Sequence, residues 1–263
     1  MTLSIWEQGN EDESKGLVGH KGKIQSLNIY HEEDKALSCA RDKTIRIWDL
    51  NSLECIKTIE ILENSINCID LSWDNKYIFL GGKSKDINIC DLVTGKVVKT
   101  LKGHALAIEC IQTIPETTKI ISGSRDSTIK LWDYETEQCL KSFEGHKQSV
   151  EDLCFLKDKN LIISASRDKS IAIWNIDSGE CIKSFTGHTD FISSVSAMEN
   201  SNFFISGSWD QTIRLWDIET GKCLALYKTE HPVSSLSKIC RDGRFVCGTK
   251  AGEVVWLRVF IQG

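Results

Sequence analysis

Proline is nearly missing from this chain, with two in 263 residues, and methionine is equally rare. Proline cannot donate a backbone hydrogen bond and breaks ladders, so its scarcity leaves long stretches free to form hydrogen-bonded strands. No apolar run approaches the roughly 20 residues that a membrane-crossing helix needs. The N-terminus, MTLSIWEQGNEDE, lacks the basic start and apolar core of a secretion signal. A cytoplasmic or nuclear location is therefore expected, without secretion or membrane contact. No Cys-x-x-Cys pair occurs, which points away from a zinc site. Phosphate-cradling glycine loops, metal-ligand clusters and nucleophile motifs are missing too, so neither enzyme activity nor a cofactor is expected. The net charge of −5 argues against wholesale nucleic-acid binding while leaving room for a local basic face.

Cysteine, by contrast, is plentiful, with 11 in the chain. Cys55, Cys139, Cys181 and Cys223 share one periodic position, and Cys68 and Cys110 another. Equivalent positions of neighbouring units point the same way and lie too far apart for a disulfide. The reading is of small, reduced and mostly buried apolar side chains.

What is present in abundance is repetition. His20, Ser38, Asp42 and Trp48 recur as His104, Ser122, Asp126 and Trp132, as His146, Ser164, Asp168 and Trp174, and as His188, Ser206, Asp210 and Trp216. Within each set the steps from the His are 18, 22 and 28 residues, and the later sets are spaced by 42. A fixed period in this range marks a repeat architecture. Units begin near residues 19, 61, 103, 145, 187 and 229, and residues 1–18 precede them.

Each unit reads as four short strands. In the third, AIECIQTI, TKIISGS, TIKLWDY and QCLKSFE are separated by PETT, RDS and ETE. Short β-branched and aromatic runs between turn clusters indicate an all-β fold. A lone four-stranded sheet cannot bury both faces, so neighbouring sheets must stack.

Gly103-His104 and Trp132-Asp133 bracket a unit that resembles the GH…WD repeat of WD-repeat (WD40) β-propellers. Gly19-His20 with Trp48-Asp49, Gly145-His146 with Trp174-Asn175, and Gly187-His188 with Trp216-Asp217 repeat the pattern. The resemblance implies a six-bladed WD40-type β-propeller occupying residues 1–263 as one domain, with four antiparallel strands per blade. Two units depart from the pattern. The second carries Leu62, Leu80, Ser84 and Cys90 at the four key positions, and the sixth carries Cys247, Ala251 and Leu257. Its His231 is out of register.

The chain ends compete. Trp6 lies 42 residues before Trp48, so LSIW reads as a third strand and ESKGLV as a fourth. VVWLRV also reads as a third strand. Residues 12–18 are expected to close the last blade as its outer strand. The spare segment then pairs at the outside edge of that sheet or with another molecule; otherwise a monomer is expected.

Ser, His and Asp together suggest a hydrolytic triad, but a nucleophile is needed once and this set occurs four times. The resemblance implies a structural chain from Trp indole to hydroxyl, imidazole and carboxylate. Partner contacts are expected elsewhere, on the face of a propeller bearing the turns between second and third strands and the entry loops. The residues just before the Asp positions are Arg41, Lys83, Arg125, Arg167, Trp209 and Lys250, with Lys23 and Phe191 in entry loops. Guanidinium groups bind carboxylate or phosphate in forked geometry, and a neighbouring aromatic supplies an apolar anchor. The repeats are similar to those of F-box/WD ubiquitin-ligase receptors, although no F-box segment is present in this chain. The FRRG motif of phosphoinositide-binding propellers is also missing. The expected role is a non-catalytic protein-interaction scaffold taking an acidic or phosphorylated peptide. The alternatives are RNA or nucleotide binding by the same basic rim, and a sensor or adaptor subunit of a larger assembly such as a ubiquitin ligase.

Overall fold

The computed structural model describes all residues except 1, 8–9, 31–33, 62–64, 199, 239–243 and 260–263. The side chains of residues 2, 5–7, 10–14 and 238 also lie outside the described set, as does Leu62 of the second repeat. Among the described residues there are strands and turns and no helix.

The chain opens with β1 (Thr2–Glu7) and β2 (Asn10–Val18). Then come the blades. The first is β3 (Ile24–Ile29), β4 (Lys35–Ala40), β5 (Thr44–Asp49) and β6 (Cys55–Glu60), and the second is β7 (Ile66–Leu71), β8 (Tyr77–Gly82), β9 (Ile87–Asp91) and β10 (Val97–Leu101). The third is β11 (Ile108–Thr113), β12 (Lys119–Ser124), β13 (Ile129–Asp133) and β14 (Gln138–Phe143). The fourth is β15 (Val150–Leu156), β16 (Leu161–Ser166), β17 (Ile171–Asn175) and β18 (Cys181–Phe185). The fifth is β19 (Ile192–Ala197), β20 (Phe203–Ser208), β21 (Thr212–Asp217) and β22 (Cys223–Lys228), and the sixth is β23 (Val233–Lys238), β24 (Arg244–Thr249) and β25 (Val254–Arg258). Each sheet runs in chain order, as an antiparallel meander. The architecture is that of a β-propeller with six blades, and its fold class is all-β.

By contacts the chain divides into two compact units, Met1–Lys119 with Asp133–Gln138, and Ile120–Trp132 with Cys139–Gly263. Within each unit the blades stack through their apolar faces. In the first, Leu37, Cys39, Ile45 and Ile47 of one blade pack with Ile69, Leu71, Ile78 and Leu80 of the next. In the second, Ile171, Ile173 and Phe185 pack with Ile192, Val195, Phe204 and Trp216.

Two further periodic contacts tie the outer strands of the first four blades to the blade that follows. One is a lysine: Lys57 donates to the Leu92 carbonyl at 2.9 Å, Lys99 to that of Tyr134 at 3.1 Å, and Lys183 to that of Ile218 at 3.0 Å. Lys141 donates to the Asp177 carbonyl in the same way. The other is an apolar plug two positions later. Phe143 lies edge-on to Trp174 at 6.1 Å, and Phe185 edge-on to Trp216 at 5.7 Å. Burying each such ring contributes about 1.5–3 kcal/mol.

The turn between third and fourth strands needs a left-handed residue, which glycine adopts at no steric cost. Gly95, Gly179 and Gly221 supply it with φ of 71°, 82° and 75°, and Leu53 and Glu137 adopt the same region in the other two blades.

Two expectations need correction. Residues 12–18, assigned to the outer edge of the last blade, are paired with β1, with Thr2 opposite Val18 and Ile5 opposite Lys15. The sheet β23–β24–β25 has three strands among the described residues. The hairpin pairing is local, and a short connection costs less chain entropy than a long one. The described cysteines are free but not mostly buried. Cys39, Cys68, Cys90, Cys110 and Cys247 are buried, whereas Cys139, Cys181 and Cys223 are exposed, because the start of each outer strand has no further strand beside it.

Candidate partner-binding surfaces

The turn between second and third strands is shaped by its aspartate. Asp42 accepts the Thr44 amide at 3.1 Å and the Thr44 hydroxyl at 2.7 Å, and Asp168 and Asp210 accept the same pair from Ser170 and Thr212. Asp126 does so with Thr128. Side-chain acceptance two residues on is a standard way for Asp to fix a turn. The following residue goes left-handed: φ is 62° at Lys43, 70° at Ser127, 69° at Lys169 and 63° at Gln211.

The same aspartates anchor the inward networks. The Trp48 indole N–H donates to Ser38 Oγ at 2.8 Å, the Ser38 hydroxyl to His20 Nε2 at 2.8 Å, and His20 Nδ1–H to Asp42 at 3.0 Å. Trp174–Ser164–His146–Asp168 spans 2.8, 2.7 and 2.9 Å, and Trp216–Ser206–His188–Asp210 spans 2.8, 2.7 and 2.8 Å. In the third blade Trp132 donates to Ser122 at 2.8 Å. Burial alone would raise the carboxylates of Asp42 and Asp168, but hydroxyl, imidazole and amide donors outweigh it and hold both well below the usual range. Burial lowers the basicity of His188, with its bond to Asp210 acting in opposition. Each hydroxyl is enclosed between an indole and an imidazole, and Ser38, Ser164 and Ser206 are fully buried. The arrangement ties strands, turn and entry loop together and gives a substrate no access. The buried thiols are equally inert: burial pushes Cys39 up to about 12 and Cys247 up to about 11. In the second blade Leu80 and Cys90 are buried and Ser84 is exposed, so among the described residues no such network forms there.

With the aspartate turned inward, the residue before it faces out. Its amide donates to the entry loop of its own blade: Arg41 to the Lys23 carbonyl at 2.9 Å, Lys83 to Ser65 at 3.1 Å, Arg167 to Ser149 at 2.9 Å, Trp209 to Phe191 at 3.0 Å and Lys250 to Pro232 at 2.9 Å. This bond brings turn and loop side chains together. Arg41, Lys83, Arg125, Arg167, Lys250 and Lys23 are exposed, and Phe191 and Trp209 are half-buried.

Four of these residues form a stack in the second unit. The Phe191 and Trp209 rings lie 4.2 Å apart at 37°. The Arg167 guanidinium sits over Phe191 at 5.3 Å, and the Lys250 ammonium over Trp209 at 4.7 Å. Cations over aromatic faces are attracted by the ring quadrupole. Arg167 also grips Glu151 with both arms of its fork, Nε to Oε1 at 2.7 Å and Nη2 to Oε2 at 3.2 Å.

In the first unit, Arg41 and Lys83 line a cleft of about 400 Å³ together with Lys43 and Ser65. Arg125 stands on the corresponding turn of the third blade. Sequence reading missed Glu151, Lys43 and Ser65. Glu151 lies in β15, and a strand-borne acid gives no local sign that it will meet a turn arginine 16 residues on. Lys43 follows the turn aspartate and could have been found by extending the turn reading by two residues. Among the described residues no group of three or more His, Cys, Asp or Glu could hold a metal ion.

Comparison with known proteins agrees with this architecture. The family model "WD domain, G-beta repeat" matches residues 12–49, 95–133, 137–175 and 179–217, more than half of the chain. The chain is similar to the nuclear distribution protein nudF of Aspergillus niger, 29% identical over 85 residues covering 32% of this chain and 19% of the relative. It is similar also to a WD repeat-containing protein 89 homolog of Dictyostelium discoideum, 33% identical over 27% of this chain and 20% of the relative. The nuclear distribution protein PAC1 of Candida glabrata is 41% identical over 21% of this chain and 12% of its own length. Each alignment thus spans a fifth or less of the relative. Repeat register, blade topology and buried networks all concur with these matches: the chain belongs to the WD40 repeat family.

Proposed function

We propose that this protein is a non-catalytic interaction platform whose turn residues recognise an acidic or phosphorylated peptide. The reading rests on one observation above all, the stack of Arg167, Phe191, Trp209 and Lys250, which sets two cations against an aromatic pair on an exposed surface. A peptide carrying an anionic group beside an apolar residue matches that chemistry. Arg125 stands on the turn one blade earlier and adds a second guanidinium.

Glu151 holds the Arg167 fork and neutralises part of its charge. A phosphate dianion displaces a carboxylate from a guanidinium more readily than another carboxylate does, so the pair favours phosphorylated ligands. The test is capture of partners from a lysate divided into phosphatase-treated and untreated halves. Loss of the captured proteins on treatment supports the reading. Equal capture that falls steeply with salt over many contacts would instead indicate RNA.

A further inference from the structure

The turns of the first two blades repeat the stacked surface of the fourth and fifth with its chemistry changed. Three 42-residue periods before Arg167, Lys169, Phe191 and Trp209 stand Arg41, Lys43, Ser65 and Lys83. These four line the cleft of about 400 Å³ in the first unit. A hydroxyl thus replaces one ring and an ammonium the other. Glu151, which grips Arg167, has the neutral Gln25 as its counterpart, and the matching place beside Lys83 holds Asn67.

The cations are left without compensation. In the fourth blade Arg167 is held by Glu151, and Lys169 donates to the Thr189 carbonyl at 2.7 Å. Among the described residues, the side chains of Arg41, Lys43 and Lys83 form no ion pair or hydrogen bond, and all three are exposed. Asp42, next to Arg41 in the chain, is turned inward onto His20 and Thr44. In the second blade the aspartate's place is taken by Ser84, which removes a negative charge beside Lys83.

Backbone contacts fix the cleft. The Ile61 amide donates to the Lys43 carbonyl at 2.9 Å, and the Lys83 amide to that of Ser65 at 3.1 Å. Residues 61 and 65 are thereby held, one to each turn. Lys43 and Ser65 adopt left-handed backbone, with φ of 62° and 55°, a conformation that costs energy outside glycine. Gly82 permits the close approach, because a Cβ there would strike the Ser65 carbonyl.

We infer that this cleft binds a small polyphosphate, a molecule carrying two or more phosphoryl groups and no base. Charge sets the number of groups, since one phosphoryl group carries about −1.5 to −2 and three cations exceed that. The Arg41 fork suits two oxygens of one group, Lys43 and Lys83 act as point charges, and the Ser65 hydroxyl donates. Neither an aromatic ring nor an apolar side chain lines the cleft, so a nucleobase would find no face to stack on. The site is separate from the peptide surface, since no residue of the Arg167 stack lines it.

The probe is inorganic tripolyphosphate, titrated by calorimetry into the full chain at fixed ionic strength. One saturable site is expected, weakened on the order of tenfold or more by Arg41→Gln with Lys83→Gln, which removes two charge-assisted contacts. Both residues are exposed and outside the buried networks, so folding should be retained, with circular dichroism as the check. Removing two exposed charges elsewhere, Lys222→Gln with Lys228→Gln, should leave binding as it was. Gln25→Glu, which supplies the acid found in the fourth blade, should weaken binding while keeping every cation. No saturable binding, or equal affinity in the folded Arg41/Lys83 variant, overturns the inference. So does citrate binding as tightly as tripolyphosphate, which would mean charge attraction alone, or orthophosphate doing so, which would mean a single-group site. ATP binding more tightly than tripolyphosphate would show a base contact and overturn the base-free assignment. None of these outcomes bears on phosphatase-sensitive peptide capture, which is read with the Arg167 variants.

Discussion

Arg167 and Glu151 form a forked ion pair, with both guanidinium arms on both carboxylate oxygens at 2.7 and 3.2 Å. The Arg side chain is 43% exposed, so the pair itself adds only about 0–1 kcal/mol to folding. Its consequence lies in binding, because an incoming anion must compete with Glu151. Glu151→Ala should therefore hold an acidic phosphopeptide-library column to higher salt than the wild type, and Arg167→Glu should elute earlier. An earlier elution of Glu151→Ala would show that Glu151 itself contacts the ligand.

The buried networks should be where single substitutions cost most. Asp168→Ala removes a carboxylate that receives an imidazole, a hydroxyl and two amides. The orphaned donors should lower stability by about 1–3 kcal/mol. Ser84→Ala, at the exposed equivalent in the second blade, should change it by less than about 0.5 kcal/mol. Urea midpoints of the two variants provide the comparison. Hydrogen exchange should also show β7–β10 opening before the fourth and fifth blades.

Asp152 gives stability an unusual pH dependence. Some of the residue's surface remains accessible, but its carboxylate is desolvated, accepting the Ser194 hydroxyl and the amides of Val195 and Leu153 at 2.5, 3.0 and 2.9 Å. Burial wins over these donors and pushes the group up to about 6. A raised carboxyl stabilises the fold fully below its unfolded value near 4 and loses that contribution as pH rises through about 6. The loss should be on the order of 1–2 kcal/mol, discounted for the residual exposure. Asp152→Asn should flatten the wild-type decline between pH 4 and 6. Asp42, Asp168 and Asp210 act in the opposite sense, since their lowered values add stability that is lost only as pH falls below about 4.

The lysine ties predict a graded series. Lys183→Met keeps the stem and removes the donor to the Ile218 and Glu219 carbonyls. It should cost about 0.5–1.5 kcal/mol. At the equivalent place in the fifth blade stands Ala225, and the plug beside it, Tyr227, is 49% exposed where Phe143 and Phe185 are buried. Amides of β22 should therefore exchange faster than those of β18.

Much of this was legible in the chain. The four His–Ser–Asp–Trp sets predict the networks because buried polar groups need partners, and a 42-residue spacing puts identical partners in every blade. The strands followed from short β-branched and aromatic runs set between turn clusters. The pairing of residues 12–18 was not legible, because Trp6 and Leu257 both qualify as third-strand positions, and sequence does not rank two strands that fit one slot. The grip of Glu151 on Arg167 was hidden for a related reason, since contacts between a strand and a turn depend on three-dimensional register.

The account centres on anion recognition by the turn arginines. Its most direct test is capture by wild type and by an Arg125→Glu, Arg167→Glu variant from one lysate, with circular dichroism and urea midpoint confirming that the variant is folded. Neither arginine belongs to a buried network, so folding should be retained. The account predicts that the variant loses the phosphatase-sensitive partners, with affinity down on the order of a hundredfold for two charge-assisted contacts. A folded variant that captures the same proteins as the wild type, in the same amounts, would contradict it.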